Sequence, residues 1–375
     1  MTSTPVVQSK VQVQPAEITP LSQLHQHLMN GGQSPAWVNL FKARADTAAA
    51  LASLQAKLPN ELPAGDVSII VSGSLGRGDF TSGSDIDWNL LLDGVADPQH
   101  FTLAKDIAAA VKDFADKRVG REGAFGGHIV SHDLIHRIGG EGDTNSNLTR
   151  RMLLLLETTS IGPSLAFDRT FKNVLNRYLI EDQGFWRGTT RLGHHVPHFL
   201  LNDLTRFWRT MTVDFAYKLR DRDGKGSVMR NLKLRMSRKI LFAAGLLACF
   251  RCHLDFADPA EREAAYSPPN HQTRLLAHIQ DILRLPPSDI IASVLLRHHH
   301  LDATATKLFN AYDVFLSLLA NDSTRKHLEN NDPPPGDPIR TKAFEAAREF
   351  SEALIDIFFD EPSGIGELTR RYGVF

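Results

Sequence analysis

Two short apolar runs, Val67–Val71 and Ile86–Leu92, flank a stretch from Ser72 to Asp85 that is too rich in Gly, Ser and Asp for a regular element. This strand, loop, strand order limits the fold more than any other feature. The first run is a buried strand feeding a Gly-Ser turn, and the second opens on Asp85-Ile86-Asp87 and stops at Asp93-Gly94. Phe101–Lys117 follows, with Phe101, Ala104, Ile107, Ala108, Val111 and Phe114 forming a helical stripe. A Gly-rich link (120–127) leads into a third expected strand, His128–Ile138, which ends at Gly139-Gly140. The pattern describes a small mixed sheet with flanking helices.

The chain changes character near Thr144. Helical patterns cover Asn147–Thr159, Ser164–Leu179, Phe199–Leu219, Val228–Cys252, Thr273–Leu283, Asp302–Leu319 and Thr341–Phe359, with Pro-rich breaks between several of them. A leading helix is expected from Trp37 to Leu58, ended by Pro59 and Pro63. Residues 1–35 lack a sustained period and read as a mobile tail or an arm laid over another surface. The expected class is α+β: a tail at 1–35, a sheet domain with its leading helix at 36–163, and a large α-helical domain at 164–375.

Composition narrows the classes. A 42% hydrophobic share over 375 residues excludes a largely disordered protein. Forty-two Lys and Arg against 43 Asp and Glu exclude a uniformly basic nucleic-acid coat, though not a local basic stripe. Two cysteines exclude a disulfide framework. The first 20 residues lack a signal-peptide core, and Ile240–Phe250 is about half the roughly 20 residues of a membrane span. A cytoplasmic protein with no membrane partner is expected.

The chemistry lies in the loop. Alternation places Asp85 and Asp87 on one face of the second strand, with Ile86 turned to the core. Carboxylates that close repel unless a cation sits between them, and hard oxygen ligands suit Mg²⁺ (or Mn²⁺) with phosphate oxygens. Gly73 lets backbone approach an anion, and the Ser74 hydroxyl can hold a terminal phosphate. Arg77 either neutralises charge on a triphosphate or forms a salt bridge with Asp79.

The segment GSLGRGDFTSGSDIDWNLLL resembles the signature of the DNA polymerase β-like nucleotidyltransferase superfamily, closest to the bacterial protein-uridylyltransferase branch. TRRMLLLLETTSIG (149–162) is similar to the helix that follows the catalytic sheet in that branch. The resemblance implies a Mg²⁺-dependent transfer of a nucleoside monophosphate from ATP or UTP, with release of pyrophosphate. It implies phosphate binding at Gly73 and Ser74 and metal binding at Asp85 and Asp87. It also implies a third carboxylate on a later strand, for which Asp133 is the first candidate and Asp143 the competitor. The acceptor implied is a protein side chain, with a small molecule or an RNA end as alternatives. Second-messenger synthesis, or a nucleotide sensor that has lost the third acid, are the other readings.

Three cations of the helical half, Lys218, Arg235 and Lys239, are candidates to meet the triphosphate; the same stripe could track RNA or be simply solvated. Phe199–Lys218 gathers Asn202, Asp203, Arg206, Arg209, Thr210 and Asp214, either as a wall of the cleft or as a salt-bridged helix. Cys249-x-x-Cys252 lacks a second pair for zinc. His298-His299-His300 and Gly193–His198 lack a matching acidic or Cys constellation and read as helix-end or cleft histidines.

Overall fold

A computed structural model describes residues 18–58, 65–115, 125–182, 194–221, 224–256, 258–267, 271–330 and 332–373. The Gly-rich link up to 124, Pro59, Pro63 and the first 17 residues lie outside them. In chain order the first half holds α1 (Pro20–Asn30), α2 (Val38–Gln55), β1 (Val67–Ser72), α3 (Gly73–Arg77), β2 (Asp87–Leu92), α4 (Gln99–Ala115), β3 (His128–Val130), α5 (Ser131–His136), α6 (Asn145–Leu156) and β4 (Thr159–Ile161). The second half is helical. It begins with α7 (Leu165–Ile180), α8 (His198–Asp221), α9 (Ser227–Lys233), a π-turn at Leu234–Arg238 and α10 (Lys239–Leu254). It continues with α11 (Pro259–Tyr266), α12 (His271–Leu283), α13 (Pro287–Leu295), α14 (Asp302–Ala320), α15 (Asp322–Asn330), α16 (Pro338–Phe358) and α17 (Ile365–Leu368).

The sheet is four-stranded and mixed, ordered β3-β2-β1-β4. β1 runs antiparallel to β2, with Ser72 opposite Asp87, and antiparallel to β4, with Val71 opposite Thr159. β2 runs parallel to β3, with Leu90 opposite His128. Strand alternation gives the sheet two different faces. Val67, Ile69, Val71, Trp88 and Leu90 pack with Leu54 of α2 and Ile107 and Val111 of α4. Ile70, Leu91 and Ile129 point the other way and join the core of the helical half, so one apolar cluster runs from the sheet to Phe350. The expected boundary at 163–164 is a change of architecture, with no break in packing.

Several elements differ from expectation. The third strand stops at Val130 and becomes α5, where the buried Ser131 and Leu134 stand three apart on one helical face. The helix expected to reach Thr159 ends at Leu156, and Thr159–Ile161 is the edge strand β4. The loop itself contains the short helix α3. Part of the expected tail is ordered: Thr19 caps α1 by accepting from Ser22 N–H at 3.2 Å, Pro20 sits at its first turn, and Leu21, Leu24 and Leu28 are buried. That segment is an arm laid on the helical half, where Leu21 N–H donates to Asp289 Oδ1 at 3.0 Å.

α10 is buried on every side, from Ile240 to Cys252, and serves as the central post of the helical half. Among the described residues no single helix is long and apolar enough to cross a membrane.

One buried polar network joins three helices. Arg151 of α6, fully enclosed, donates to both oxygens of Asp143 at 3.0 and 2.9 Å, to Asp203 of α8 at 2.7 Å and to the Tyr178 hydroxyl of α7 at 2.6 Å. Burial pushes the Asp143 carboxyl up, but Arg151, the Gly139 N–H and Arg206 outweigh it and hold the group at about 2. Arg151→Ala should therefore cost about 3–5 kcal/mol, read by urea unfolding, since it removes the buried cation shared by two carboxylates. Because the folded Asp143 is more acidic than the ordinary 3.8, its stabilisation is complete above pH 4 and is lost as the pH falls toward 2. In Asp143→Asn the acid limb of the stability profile should flatten over that window.

Candidate functional site

β1 and β2 pair antiparallel, so the end of β1 and the start of β2 lie together, and the loop between them must turn back sharply. Gly73 makes the turn with a left-handed backbone, φ +67°, which costs other residues about 1–2 kcal/mol. A Cβ built at Gly73 would fall 2.6 Å from Asp87 Oδ2. The carboxylate thus rests directly against the bare backbone of the Gly-Ser turn. Asp87 projects from the sheet face that meets the helical half, while Ile86 and Trp88 are buried on the other side.

Gly73, Ser74, Arg77, Asp85 and Asp87 line one cleft of about 150 Å³, closed from above by Lys233, Arg238 and Arg325. Asp85 is exposed and Asp87 half-buried. Burial pushes the Asp87 carboxyl up; Arg238 opposes this while Glu157 and Asp85 add to it, and the group stands at about 6. Two hard oxygen donors, one with its charged form disfavoured by burial, beside a Gly-Ser turn fit a divalent cation that also takes phosphate oxygens.

Arg77 lines the cleft but is engaged elsewhere. Its guanidinium donates to both oxygens of Asp79 at 3.1 Å each and to Glu157, and the Tyr312 hydroxyl donates to Asp79 at 2.6 Å. The expected bridge to Asp79 exists, buried rather than on the surface.

The cations differ from those expected. Arg235 is exposed, donates to Asn231 at 2.9 Å and stacks on Phe344. Lys239 donates to Ser351 at 2.9 Å, away from the cleft. Lys218 lines a neighbouring cavity of about 460 Å³, with Phe125, Phe207 and Phe215, which shares Lys233 and Arg238 with the cleft. The π-turn explains the shift: its wider winding brings Lys233 and Arg238, five apart, to the same face. Arg325, on α15, reaches the cleft across Gly83, where a Cβ would meet its guanidinium at 2.3 Å. No pattern in the charged segment Asp322–Asn330 announces it.

The third carboxylate is not where it was expected. Asp133 lies on α5, not on a strand, half-exposed and paired with Arg137 at 3.0 Å. Asp143 belongs to the Arg151 and Arg206 network. Alternation and the β2–β3 register put Phe125, Gly127 and Ile129 on the face that carries Asp87. Among the described residues, the third strand therefore brings no acid to the cleft. The further carboxylate that lines the cleft is Asp79, held by Arg77 and the Tyr312 hydroxyl, and Glu157 lies buried behind it beside Arg77, 3.4 Å from Arg238.

The polar face of α8 is salt-bridged, with Asp203 bound to Arg151 and Arg206 to Asp143. Asn202, Arg209, Thr210 and Asp214 line a separate cavity of about 480 Å³. Cys249 and Cys252 are buried free thiols inside α10. Compared with known protein families and with curated proteins, the chain matches none.

The geometry makes Asp87 a strained group in the cation-free protein. With its folded pKa near 6 against an ordinary 3.8, Asp87 opposes folding by an amount that grows as the pH rises from about 4 and is fully present above about 6. Asp87→Asn should stabilise the cation-free protein by about 1–3 kcal/mol at pH 8 and leave it unchanged near pH 3.5, measured by thermal unfolding. Gly73→Ala should do the reverse, costing about 1–3 kcal/mol and displacing Asp87.

Proposed function

We propose that this chain is a divalent-cation-dependent nucleotidyltransferase that takes ATP or UTP and passes the nucleoside monophosphate to an acceptor hydroxyl. The observation that carries the reading is the convergence of Gly73, Ser74, Asp85 and Asp87 in one cleft faced by Lys233, Arg238 and Arg325. A triphosphate needs that combination: an anion seat, a cation seat and positive charge placed over both. The Ser74 hydroxyl would donate to the terminal phosphate. Lys233 and Arg238 would neutralise the remaining phosphates and orient the chain toward the larger cavity, whose aromatic residues suit the nucleoside. Asp85 and Asp87 would hold Mg²⁺ or Mn²⁺, which when bound supplies polarisation of phosphate oxygens and acidification of a hydroxyl. A protein side chain is the favoured acceptor, ahead of a small molecule, a second nucleotide or an RNA end. The reading takes the compartment to be cytoplasmic, and the two free thiols support it.

A second reading has its own observation. With Phe125, Gly127 and Ile129 on the Asp87 face, and Asp79 and Glu157 both tied to Arg77, the described residues that line the cleft leave no acid beyond Asp85 and Asp87 unpaired to activate an acceptor. A chain that binds the nucleotide without transferring it would look like this.

Calorimetry with ATP or UTP and Mg²⁺ or Mn²⁺ tests the site. Binding should weaken at least tenfold in Lys233→Ala and at least a hundredfold in Asp85→Asn with Asp87→Asn. Equal affinity in all three would remove the cleft from consideration. Incubation with labelled nucleotide and cell extract then separates the readings: label on protein, RNA or a soluble product supports transfer, and tight binding with no pyrophosphate release supports the sensor.

A further inference from the structure

The cleft leaves His298-His299-His300 without a role, and the fold brings to His299 and the nearby Asp302 a histidine from the distant arm. His27, on the arm helix α1, lies with its Nε2 2.9 Å from Asp302 Oδ2, although the two are 275 residues apart. His299 Nδ1 is 3.9 Å from the other oxygen, Asp302 Oδ1, and the two imidazoles stack with centroids 4.2 Å apart. The three ligand atoms all lie within 4.8 Å of one another. We propose that His27, His299 and Asp302 form a Zn²⁺ site that fastens the N-terminal arm to the start of α14.

A simple His27–Asp302 hydrogen bond does not account for the cluster. Asp302 Oδ1 is buried and has no hydrogen-bond partner, which is costly for a carboxylate oxygen. His299 Nδ1, 3.9 Å from that oxygen, is too far to donate a hydrogen bond to it. A cation bound between the three groups removes that defect, since each ring presents a lone pair and the carboxylate is fully engaged. Tetrahedral Zn²⁺ with bonds of about 2.0–2.1 Å sets its ligand atoms about 3.4 Å apart, a spacing within the 4.8 Å that encloses one ligand atom from each of the three residues. Two imidazole nitrogens and one carboxylate oxygen suit Zn²⁺ rather than Mg²⁺, and three protein ligands leave a fourth position for water. His299 is exposed, so the ion reaches the site from solvent with no opening of the fold. α1 lies on α13 through Leu21 N–H and Asp289, and the metal would pin its other end. This inference is independent of the nucleotide reading, because none of its ligands lines the cleft.

The test uses full-length, tag-free protein stripped with chelator and titrated with Zn²⁺ against a chromophoric competitor. One Zn²⁺ should bind per chain, with His27→Gln and His299→Gln each weakening affinity at least tenfold and Asp302→Asn at least as much. Co²⁺ should give the visible absorption of a low-coordinate site in the parent and lose it in these variants. Proteolysis or hydrogen exchange across Pro20–Asn30 should slow on adding Zn²⁺ to the parent only. His298→Gln and His300→Gln should keep the parent affinity. Because His299 is exposed, His299→Gln should keep the metal-free thermal midpoint, which makes its Zn²⁺ affinity decisive. Unchanged affinity in His299→Gln, or an equal loss in His298→Gln, would overturn the site.

Discussion

The buried guanidinium of Arg77 holds the two halves of this protein in register. It sits between Asp79, in its own loop, and Glu157, at the end of α6, while Tyr312 of α14 donates to Asp79. A buried charge is tolerated only when paired and fully hydrogen-bonded, so the loop, the edge of the sheet and the helical half must all be in place together. The burial that would lower the basicity of Arg77 is overcome by the two carboxylates, which keep it firmly charged. Glu157 in turn faces Arg238, so the network ends at the rim of the cleft. The same charges that fix the fold of the Gly-Ser turn thus set the potential felt by Asp87.

That coupling explains why part of the site was legible in the sequence and part was not. Gly73, Ser74, Asp85 and Asp87 are local: strand alternation and a Gly turn are enough to place them, and they do converge. The cations depend on tertiary phase. A π-turn between α9 and α10 changes which of seven neighbouring basic and polar residues face inward, and nothing in Arg230–Lys239 marks where the winding widens. Arg325 depends on the packing of a charged helix, α15, over Gly83. The third strand was misplaced because Ser131–Ile138 supports either period, and burial of Leu134 under the helical half decides for a helix.

The fold followed the same rule. Long amphipathic helices were recognisable because their stripes repeat many times: α8, α12, α14 and α16 lie within a few residues of expectation. Short elements were not. β4 has three residues and takes its identity from pairing with β1, and α13 is so apolar that its buried environment, not its periodicity, makes it a helix. The arm helix α1 has clear signals, a Thr cap, a Pro at the first turn and leucines at helical spacing. They are brief enough to be lost in the irregular residues before them.

α14 is where these separate requirements meet. Asp302 at its start receives His27 of the arm, and Asp313 accepts from the Leu40 N–H and Asn39 side chain of α2. Tyr312 reaches the loop, and Phe315 and Leu319 form part of the cleft wall. A rigid helix 19 residues long gives these contacts one fixed spacing, so the arm, the leading helix, the loop and the cleft cannot be adjusted independently. Polar groups on α14 are therefore spent on attachment, and its apolar residues are left to wall the cleft. The cations that line the cleft come instead from Lys233 and the π-turn after it and from α15.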